Sequence, residues 1–304
     1  MFTAINFDEN EVKTFGPWIY EINAEHPLPR LFNGFFSVDD QAIFKFKIPR
    51  NDIEHRDIIP GMPLYDYVIA LYDDYIRILE REEYSVKEQI ITMSEFMGLR
   101  IYHNLLQGIC IIYTKLGSVT FPFSTVSDDI IQKMTKILFE KVNTDAFGFA
   151  DTSLDISTLP VTHDHLESDL LRTLVHTMKK KQKSHKIGAI QKDMKLKRID
   201  KSAASYTKRL FFDEVNPESA HLFTDKELVV LQKSSFPVIM GTPDYGYSYL
   251  IVPLKYVKHI EITESTEFAK LRNLTIHIGP SEVTYHYKSG NAEIAEFYEA
   301  IQKL

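Results

Sequence analysis

The sequence predicts a mixed α+β protein in which a unit of antiparallel strands followed by one helix occurs twice. The first observation is an internal repeat, because residues 109–141 and 272–304 follow the same apolar pattern 164 positions apart. A repeat at a fixed offset sets the architecture of a chain. The second observation is composition, since 20 Phe and 16 Tyr favour strands. A length of 304 residues also suits two small domains.

Each copy of the repeat contains two strands, a tight turn and an amphipathic helix. The matching residues of the first copy are Ile112, Val119, Phe121, Phe123, Ile130, Met134 and Ile137. Those of the second copy are Ile276, Val283, Tyr285, Tyr287, Ile294, Tyr298 and Ile301. Five of thirty aligned positions are identical over residues 109–138, so the similarity is one of pattern rather than identity.

The first domain is expected to span residues 39–145, with residues 1–38 packing on it. This leading segment holds the only tryptophan, Trp18, and is too short for a core of its own. Apolar runs predict strands at 41–48, 65–71, 76–79, 86–91, 96–103, 109–114 and 118–123. Ser127 is then the expected N-cap of a helix that buries Ile130, Met134, Ile137 and Leu138.

The second domain, residues 209–304, is expected to repeat this plan. Its strand candidates are residues 227–232, 236–240, 247–253, 257–263, 274–278 and 283–287. Asn291 is the expected N-cap of the closing helix, which buries Ile294, Phe297, Tyr298 and Ile301. Upstream of the closing unit the offset changes to 161, so that Leu99 corresponds to Ile260.

Residues 146–208, between the domains, are predicted to form a helical, lysine-rich linker. Thr162 would cap a helix whose apolar stripe is formed by Leu166, Leu170, Leu171, Leu174, Val175 and Met178. From Lys179 to Lys201 the chain carries ten Lys or Arg against two Asp, a net charge of +8. Because the whole chain carries −7, the remainder carries about −15.

This basic segment is the main candidate binding surface. The candidate anion-binding or partner-binding residues are Lys179, Lys180, Lys181, Lys183, Lys186, Lys192, Lys195, Lys197 and Arg198. Two interpretations stay open. The segment is a docking surface for anionic lipid, nucleic acid or an acidic protein patch, or it is a solvated linker whose lysines meet the acidic remainder. Aromatic residues are absent from 179–201, which weakens the case for base stacking.

Many strands followed by one amphipathic helix resemble the pleckstrin-homology-like fold. The run from Ile251 to Glu261, IVPLKYVKHIE, is similar to the I-P-L-x-x-I-x-x-I-E strand common in bacterial members. Residues 274–278 and 283–285 match the closing hairpin of that fold. The resemblance covers residues 224–304 and, less closely, 39–143. It implies two bent antiparallel barrels or sheets, each with a C-terminal helix that caps one open end.

Some members of this family bind phosphoinositides through a basic cluster on the first hairpin. Lys45, Lys47 and Arg50 partly match that cluster, but Pro49 precedes Arg50 and no second arginine follows. Lipid specificity is therefore not carried over to this chain. Fold alone does not imply function in any case.

Other motifs carry weaker signals. We interpret His163-Asp164-His165 as helix capping rather than a metal site, because no second cluster of ligands supports it. His277 and His286 are expected on paired strands as solvent-facing neighbours. Tyr245 and Tyr247 are candidate loop contacts within the turn-rich residues 241–247, which also suit a long hairpin turn.

No motif assigns chemistry to the chain. It contains no nucleophile elbow, P-loop, zinc-protease helix or dinucleotide fingerprint, so no catalytic residue, metal or cofactor is assigned. Cys110 lies in an apolar run, where a buried and inert thiol is expected. The sequence accordingly favours a protein that is not an enzyme.

Composition bounds the partner and the compartment. The net charge of −7 argues against a dedicated nucleic-acid binder. A single cysteine excludes an intramolecular disulfide and fits a reducing compartment. The N-terminus lacks a signal-peptide pattern, and no window approaches 18 uninterrupted apolar residues. We therefore expect a cytoplasmic protein, with a peripheral position at the inner membrane face left open.

The favoured function is a non-enzymatic binding or scaffold module that recognises a protein partner through its loops and an exposed sheet edge. Three alternatives remain. The first is peripheral docking to anionic membrane lipid through the basic linker. The second is an enzyme whose site lies in the cleft between the domains. The third is self-association, in which the chain forms a homo-oligomer or a structural part of a larger assembly.

Overall fold

The computed structural model describes residues 9–143, 165–181, 185–199, 215–233, 246–257 and 259–303. The helices are α1 (Glu9–Thr14), α2 (Asp128–Val142), α3 (Asp169–Lys181) and α4 (Ala292–Gln302). The strands before α2 are β1 (Tyr20–Glu21), β2 (Phe44–Pro49), β3 (Tyr65–Leu71), β4 (Tyr75–Glu82), β5 (Ser85–Thr92), β6 (Phe96–Asn104), β7 (Gln107–Thr114) and β8 (Gly117–Ser124). The strands after α3 are β9 (Lys186–Gln191), β10 (Met194–Lys195), β11 (Val215–Asn216), β12 (Ser219–Phe223), β13 (Glu227–Lys233), β14 (Tyr247–Pro253), β15 (His259–Glu264), β16 (Leu271–Ile278) and β17 (Ser281–Lys288).

The fold is mixed α+β, with mostly antiparallel sheets and few helices. Five strands lie in the order β1-β2-β3-β4-β5, and seven lie in the order β8-β7-β6-β14-β13-β12-β9. A three-stranded sheet has the order β15-β16-β17, and β10 pairs with β11. These sheets are open and do not close into barrels, because strands such as β5 and β15 have only one neighbour among the described strands. No helix in the described ranges is long and apolar enough to cross a membrane.

The predicted repeat is visible in the bounds of the elements. Adding 164 to the bounds of β7 and β8 gives those of β16 and β17, and adding 164 to Asp128 gives Ala292, where α4 begins. Adding 161 to the bounds of β5 reproduces those of β14 to within one residue. Each copy consists of four antiparallel neighbours (β2-β3-β4-β5 or β9-β12-β13-β14), then three more strands, then a helix.

The described chain divides into two compact units that differ from the predicted division near residue 145. The first unit takes residues up to 96 together with 106–108 and 121–144, and the second takes the remainder, including 97–105 and 109–120. The reason is the antiparallel pairing of β6 with β14, which places Leu99 opposite Ile251 and His103 opposite Tyr247. Backbone groups at the edge of β14 thereby find partners.

Part of the predicted linker is a strand of the large sheet. Residues 186–191 form β9, which pairs with β12, and its five residues after Lys186 are all buried. The lysines of this region predicted a linker, whereas Ile187, Ala189 and Ile190 supply core side chains. The helical part is present as α3, which packs on β12 and β13 and buries Leu171 and Val175. Thr162 lies outside the described residues.

In the second unit, α4 packs against β9 and β15. Asn291 is its N-cap, as predicted: its Oδ1 accepts a hydrogen bond from the Ile294 amide at 3.3 Å. Its Nδ2 also donates to the Ile190 carbonyl at 3.0 Å, so one side chain caps the helix and fixes β9. Residues 294, 297, 298 and 301 are buried, as the sequence predicts.

In the first unit, α2 buries a different face from the predicted one. Met134 and Leu138 are buried as expected, but Ile130 and Ile137 are half-buried, and Ile131 lies in the core instead. Ser127 occupies the N-cap position of this helix, as predicted, but its side chain makes no capping hydrogen bond. The Ser127 hydroxyl instead accepts a hydrogen bond from the Ile19 amide at 3.0 Å, which ties the leading segment to the helix.

The leading segment covers one face of the five-stranded sheet. Phe32 is fully buried in a cluster with Leu64, Tyr65, Val68 and Leu79. Half-buried apolar side chains of the segment surround this cluster, namely Val12, Phe15, Ile22, Leu28, Leu31, Phe35 and Phe36. The leading segment therefore supplies much of the apolar packing on this face of the sheet.

Candidate functional site

The outer edge of β5 is an open sheet edge among the described strands. β5 pairs with β4 from Ser85 to Thr92, and no described strand lies along its other side. Of its eight residues, Ile91 is buried, Val86 is half-buried and the remainder are exposed. Ile90 is an apolar side chain that is 50% exposed on this edge. An open strand edge presents unpaired amide and carbonyl groups to any chain that can align with it.

The matching strand of the second copy has a different environment. β14 pairs with β13 on one side and with β6 on the other, and all of its residues after Tyr247 are buried. Ile251, which corresponds to Ile90 at the offset of 161, is only 7% exposed. One copy of this strand is therefore paired with an added antiparallel strand, and the other copy has an open edge within the part of the chain that the structure describes.

A groove adjoins the end of the β5 edge. It lies between residues 35–41 and the turn from β3 to β4, with a volume of about 550 Å³. Its wall contains four aspartates, Asp39, Asp40, Asp73 and Asp74, together with Tyr72, Tyr75 and Arg77. Tyr75 and Arg77 line the groove, and pairing of β4 with β5 places them opposite Thr92 and Ile90.

The side chains of the groove wall contact one another. The rings of Tyr72 and Tyr75 stack with centroids 4.2 Å apart and an interplanar angle of 16°. The Arg77 guanidinium carbon lies 5.6 Å from the Tyr72 centroid, and Arg77 Nη1 donates to the Phe35 carbonyl at 2.8 Å. Arg77 Nε lies 2.9 Å from a carboxylate oxygen of Glu88 on β5. These contacts connect the groove wall to the open strand.

The electrostatics of the groove are acidic. Tyr72 Oη donates to Asp40 Oδ1 at 2.6 Å, and Lys45 Nζ lies 2.9 Å from Asp40 Oδ2. Burial by itself would raise the pKa of Asp40, but the hydrogen bonds from Lys45 and Tyr72 outweigh it and hold the pKa below its ordinary value. Asp40 is therefore ionised at neutral pH. Asp73 forms an ion pair with Lys141, and Asp39 and Asp74 are exposed at the rim.

The basic residues predicted to form a docking surface lie on several elements. Lys179 and Lys180 are in the last turn of α3, Lys186 begins β9, and Lys192, Lys195 and Lys197 follow in and around β10. Part of this charge is paired within the chain, since Lys192 Nζ lies 3.0 Å from Glu167 Oε1 and Arg198 Nη1 lies 2.5 Å from Glu267 Oε1. Lys183 and the side chain of Lys181 lie outside the described residues.

The partial phosphoinositide motif is held within the fold. Lys45 pairs with Asp40, and Lys47 is fully buried with its Nζ donating to the Pro27 carbonyl at 2.8 Å. Arg50 makes two hydrogen bonds with the carboxylate of Asp52, at 2.9 and 2.7 Å. These contacts give a physical reason for withholding lipid specificity from this hairpin.

Two tyrosines and two histidines were also singled out by the sequence. Tyr247 begins β14, where its ring stacks on His103 at 4.6 Å, and Tyr245 lies outside the described residues. The expectation that His277 and His286 are cross-strand neighbours is wrong. The register places Glu282 opposite His277 and Asn273 opposite His286. His163 and Asp164 lie outside the described residues.

Sequence reasoning missed the acidic groove. Its aspartates come in two pairs, Asp39-Asp40 at the expected start of the first domain and Asp73-Asp74 between two predicted strands. The available signal was the pair of tyrosines that flanks the second aspartate pair. No protein-family model matches this chain, and no curated protein matches it. Function is therefore inferred from the residues themselves.

Proposed function

We propose that this protein is a non-enzymatic binding module with two pleckstrin-homology-like domains, and that it captures an extended segment of a protein partner on the open edge of β5. The fold assignment is supported by the order of four strands, three strands and a helix, which occurs in both copies. A scaffold of this kind needs no catalytic residue, because binding energy comes from main-chain hydrogen bonds and side-chain contacts.

The single observation that carries this proposal is the difference between two corresponding strands. β14 has accepted an antiparallel strand, β6, whereas β5 is open among the described residues. The same chain therefore contains one example of strand addition at this position of the domain. A partner segment on β5 would make the same kind of contact between chains that β6 makes within one.

The adjoining groove suggests the chemistry of the partner. The exposed carboxylates of Asp39 and Asp74 attract a cation, and the half-buried ring of Tyr75 offers a face for cation–π contact. Ile90 adds an apolar contact beside them. The partner segment is therefore extended, contains an apolar residue and carries a Lys or Arg that enters the groove.

The test is a selection from random linear peptides displayed on phage, with the full-length protein as bait. We expect enriched peptides to carry Lys or Arg beside alternating apolar residues. Binding of a synthetic enriched peptide, measured by fluorescence anisotropy, should weaken about tenfold in Ile90→Lys, since a charged edge resists strand addition. Asp74→Asn should weaken it as well.

Ile59→Lys is the matched control, because Ile59 is 60% exposed in the same unit and does not lie on β5. It should bind the peptide as wild type does. No enrichment of any peptide sequence would contradict the proposal, and so would equal weakening by Ile59→Lys and Ile90→Lys. A third outcome is that a second copy of the chain occupies the edge. Light scattering of the free protein detects this outcome as a dimer mass.

The proposed compartment is the cytoplasm. Its support is Cys110, which is fully buried on β7 as a free thiol. Burial raises the pKa of this thiol, which makes it unreactive. Peripheral docking to an anionic membrane is the second candidate. Its support is the exposure of Lys180, Lys186 and Lys195.

A further inference from the structure

Two histidines and two glutamates converge on one face of the three-stranded sheet. The register of β15 and β16 places His259 directly opposite His277, and the register of β16 and β17 places Glu282 opposite His277. Glu261 lies two residues after His259 on β15, so its side chain points to the same face. His259, His277 and Glu282 therefore form a row across the three strands, and Glu261 lies beside this row on the same face.

The donor atoms lie close to the separation that a metal ion requires. His259 Nε2 is 4.0 Å from Glu261 Oε1, and His277 Nε2 is 3.9 Å from Glu261 Oε2. The imidazole centroids are 4.4 Å apart, and the three donors lie within 4.8 Å of one another. Ligand atoms around a tetrahedral Zn²⁺ are about 3.3 Å apart, given bonds of about 2.0 Å. The side chains of His259 and Glu261 are exposed, so small rotations of these side chains can bring the donor atoms to the separation that the ion requires.

His277 is arranged as a ligand with an orienting partner. Its Nδ1 lies 3.4 Å from a carboxylate oxygen of Glu282, which favours the tautomer with hydrogen on Nδ1. Its Nε2 is buried, has no hydrogen-bond partner among the described residues and lies 3.9 Å from Glu261 Oε2. A carboxylate that accepts from the second ring nitrogen is the usual companion of a metal-binding histidine. A buried nitrogen without a partner carries a free-energy cost that a bound ion would remove.

We propose that His259, Glu261 and His277 bind one divalent transition-metal ion of the Zn²⁺ class, with Glu282 as the residue that positions His277. Two imidazoles and one carboxylate suit such an ion, whereas Ca²⁺ and Mg²⁺ prefer a shell of oxygens. Three protein ligands leave a fourth position for water or for a side chain of a partner. The ion would also link β15, an edge strand, to its neighbour β16.

The test is calorimetric titration of the full-length protein with Zn²⁺, and with Co²⁺ for the visible spectrum of the bound ion. We expect one ion per chain, and loss of that binding in His259→Gln and in His277→Gln. His176→Gln is the matched control, because His176 is an exposed histidine on α3 in the same unit. It should bind the ion as wild type does.

Glu282→Gln separates a positioning role from a direct one. It should lower the affinity about 10-fold to 100-fold and leave the shape of the Co²⁺ spectrum unchanged, because the first ligands are retained. Absence of binding by the wild-type chain would overturn the proposal, as would wild-type binding by both histidine variants. Circular dichroism of each variant shows that the sheet has folded.

Discussion

Leu99 of β6 lies directly opposite Ile251 of β14, and both side chains are buried. The residue that corresponds to Ile251 in the first copy is Ile90, which is half exposed on an edge with no described neighbour. The two copies thus have the same order of strands. They differ at the fourth strand, which pairs with β6 in the second copy and has no described partner on that side in the first copy. This difference is the basis for assigning the peptide site to β5 rather than to its counterpart.

Gly188→Ala should destabilise the second unit strongly. A Cβ atom at Gly188 would lie 2.1 to 2.6 Å from ring atoms of Phe297, which is fully buried on α4. Overpacking of this kind costs about 1–3 kcal/mol of unfolding free energy. Gly290→Ala is the control, since a Cβ there meets nothing within 4 Å. Urea unfolding followed by circular dichroism measures both, and equal midpoints would show that α4 is not packed as described.

His221 should make the second unit sensitive to acid. It is fully buried, with Nδ1 2.6 Å from Tyr298 Oη and Nε2 3.0 Å from Ser219 Oγ. Burial lowers its pKa from 6.5 to about 3 in the folded state. Between these values the unfolded chain binds a proton that the folded chain does not, so stability falls as pH falls, by up to about 1.4 kcal/mol per pH unit.

The measurement is urea unfolding from pH 7 to pH 4 for wild type and His221→Gln. The variant loses the Tyr298 hydrogen bond and is less stable at pH 7, but its stability should fall less steeply with acid. Tyr285 and Tyr298, which face His221, do not titrate in this range. If wild type and the variant lose the same unfolding free energy as the pH falls, His221 is not buried in its neutral form.

The lysine-rich segment should not support membrane binding by itself. Lys192 and Arg198 have acidic neighbours, and the chain outside residues 179–201 carries about −15, which an anionic surface repels. We expect no co-sedimentation with neutral vesicles or with phosphatidylserine vesicles at physiological salt. Anionic-only binding that fades with salt, and that is lost when Lys179, Lys180, Lys181 and Lys183 become Gln, would establish the membrane alternative.

The sequence predicted the local structure of the closing unit well. Alternation of apolar and polar residues depends on neighbours along the chain, so β16, β17 and the buried face of α4 could be assigned from it. Asn291 could be identified as an N-cap because a cap acts within one turn. The offset of 164 followed from the same local pattern.

Ser127 and β9 show where local pattern fails. Ser127 precedes a helix as a cap should, but a distant amide from Ile19 takes its hydroxyl. The buried residues of β9 lie between lysines in the sequence. Because the charge of the segment predicted a linker, this six-residue strand was not predicted. In both cases a contact between residues far apart in sequence prevailed over a local preference.

The sequence by itself determined that the chain contains two similar sets of strands, each ending in an amphipathic helix. The tertiary structure alone decided that β6 pairs with β14, that β5 has an open edge among the described strands, and that His259, His277 and Glu282 lie in one row. The reason is that strand partners and register are set by hydrogen bonds between distant segments. A shift of one residue would turn each of these side chains to the opposite face.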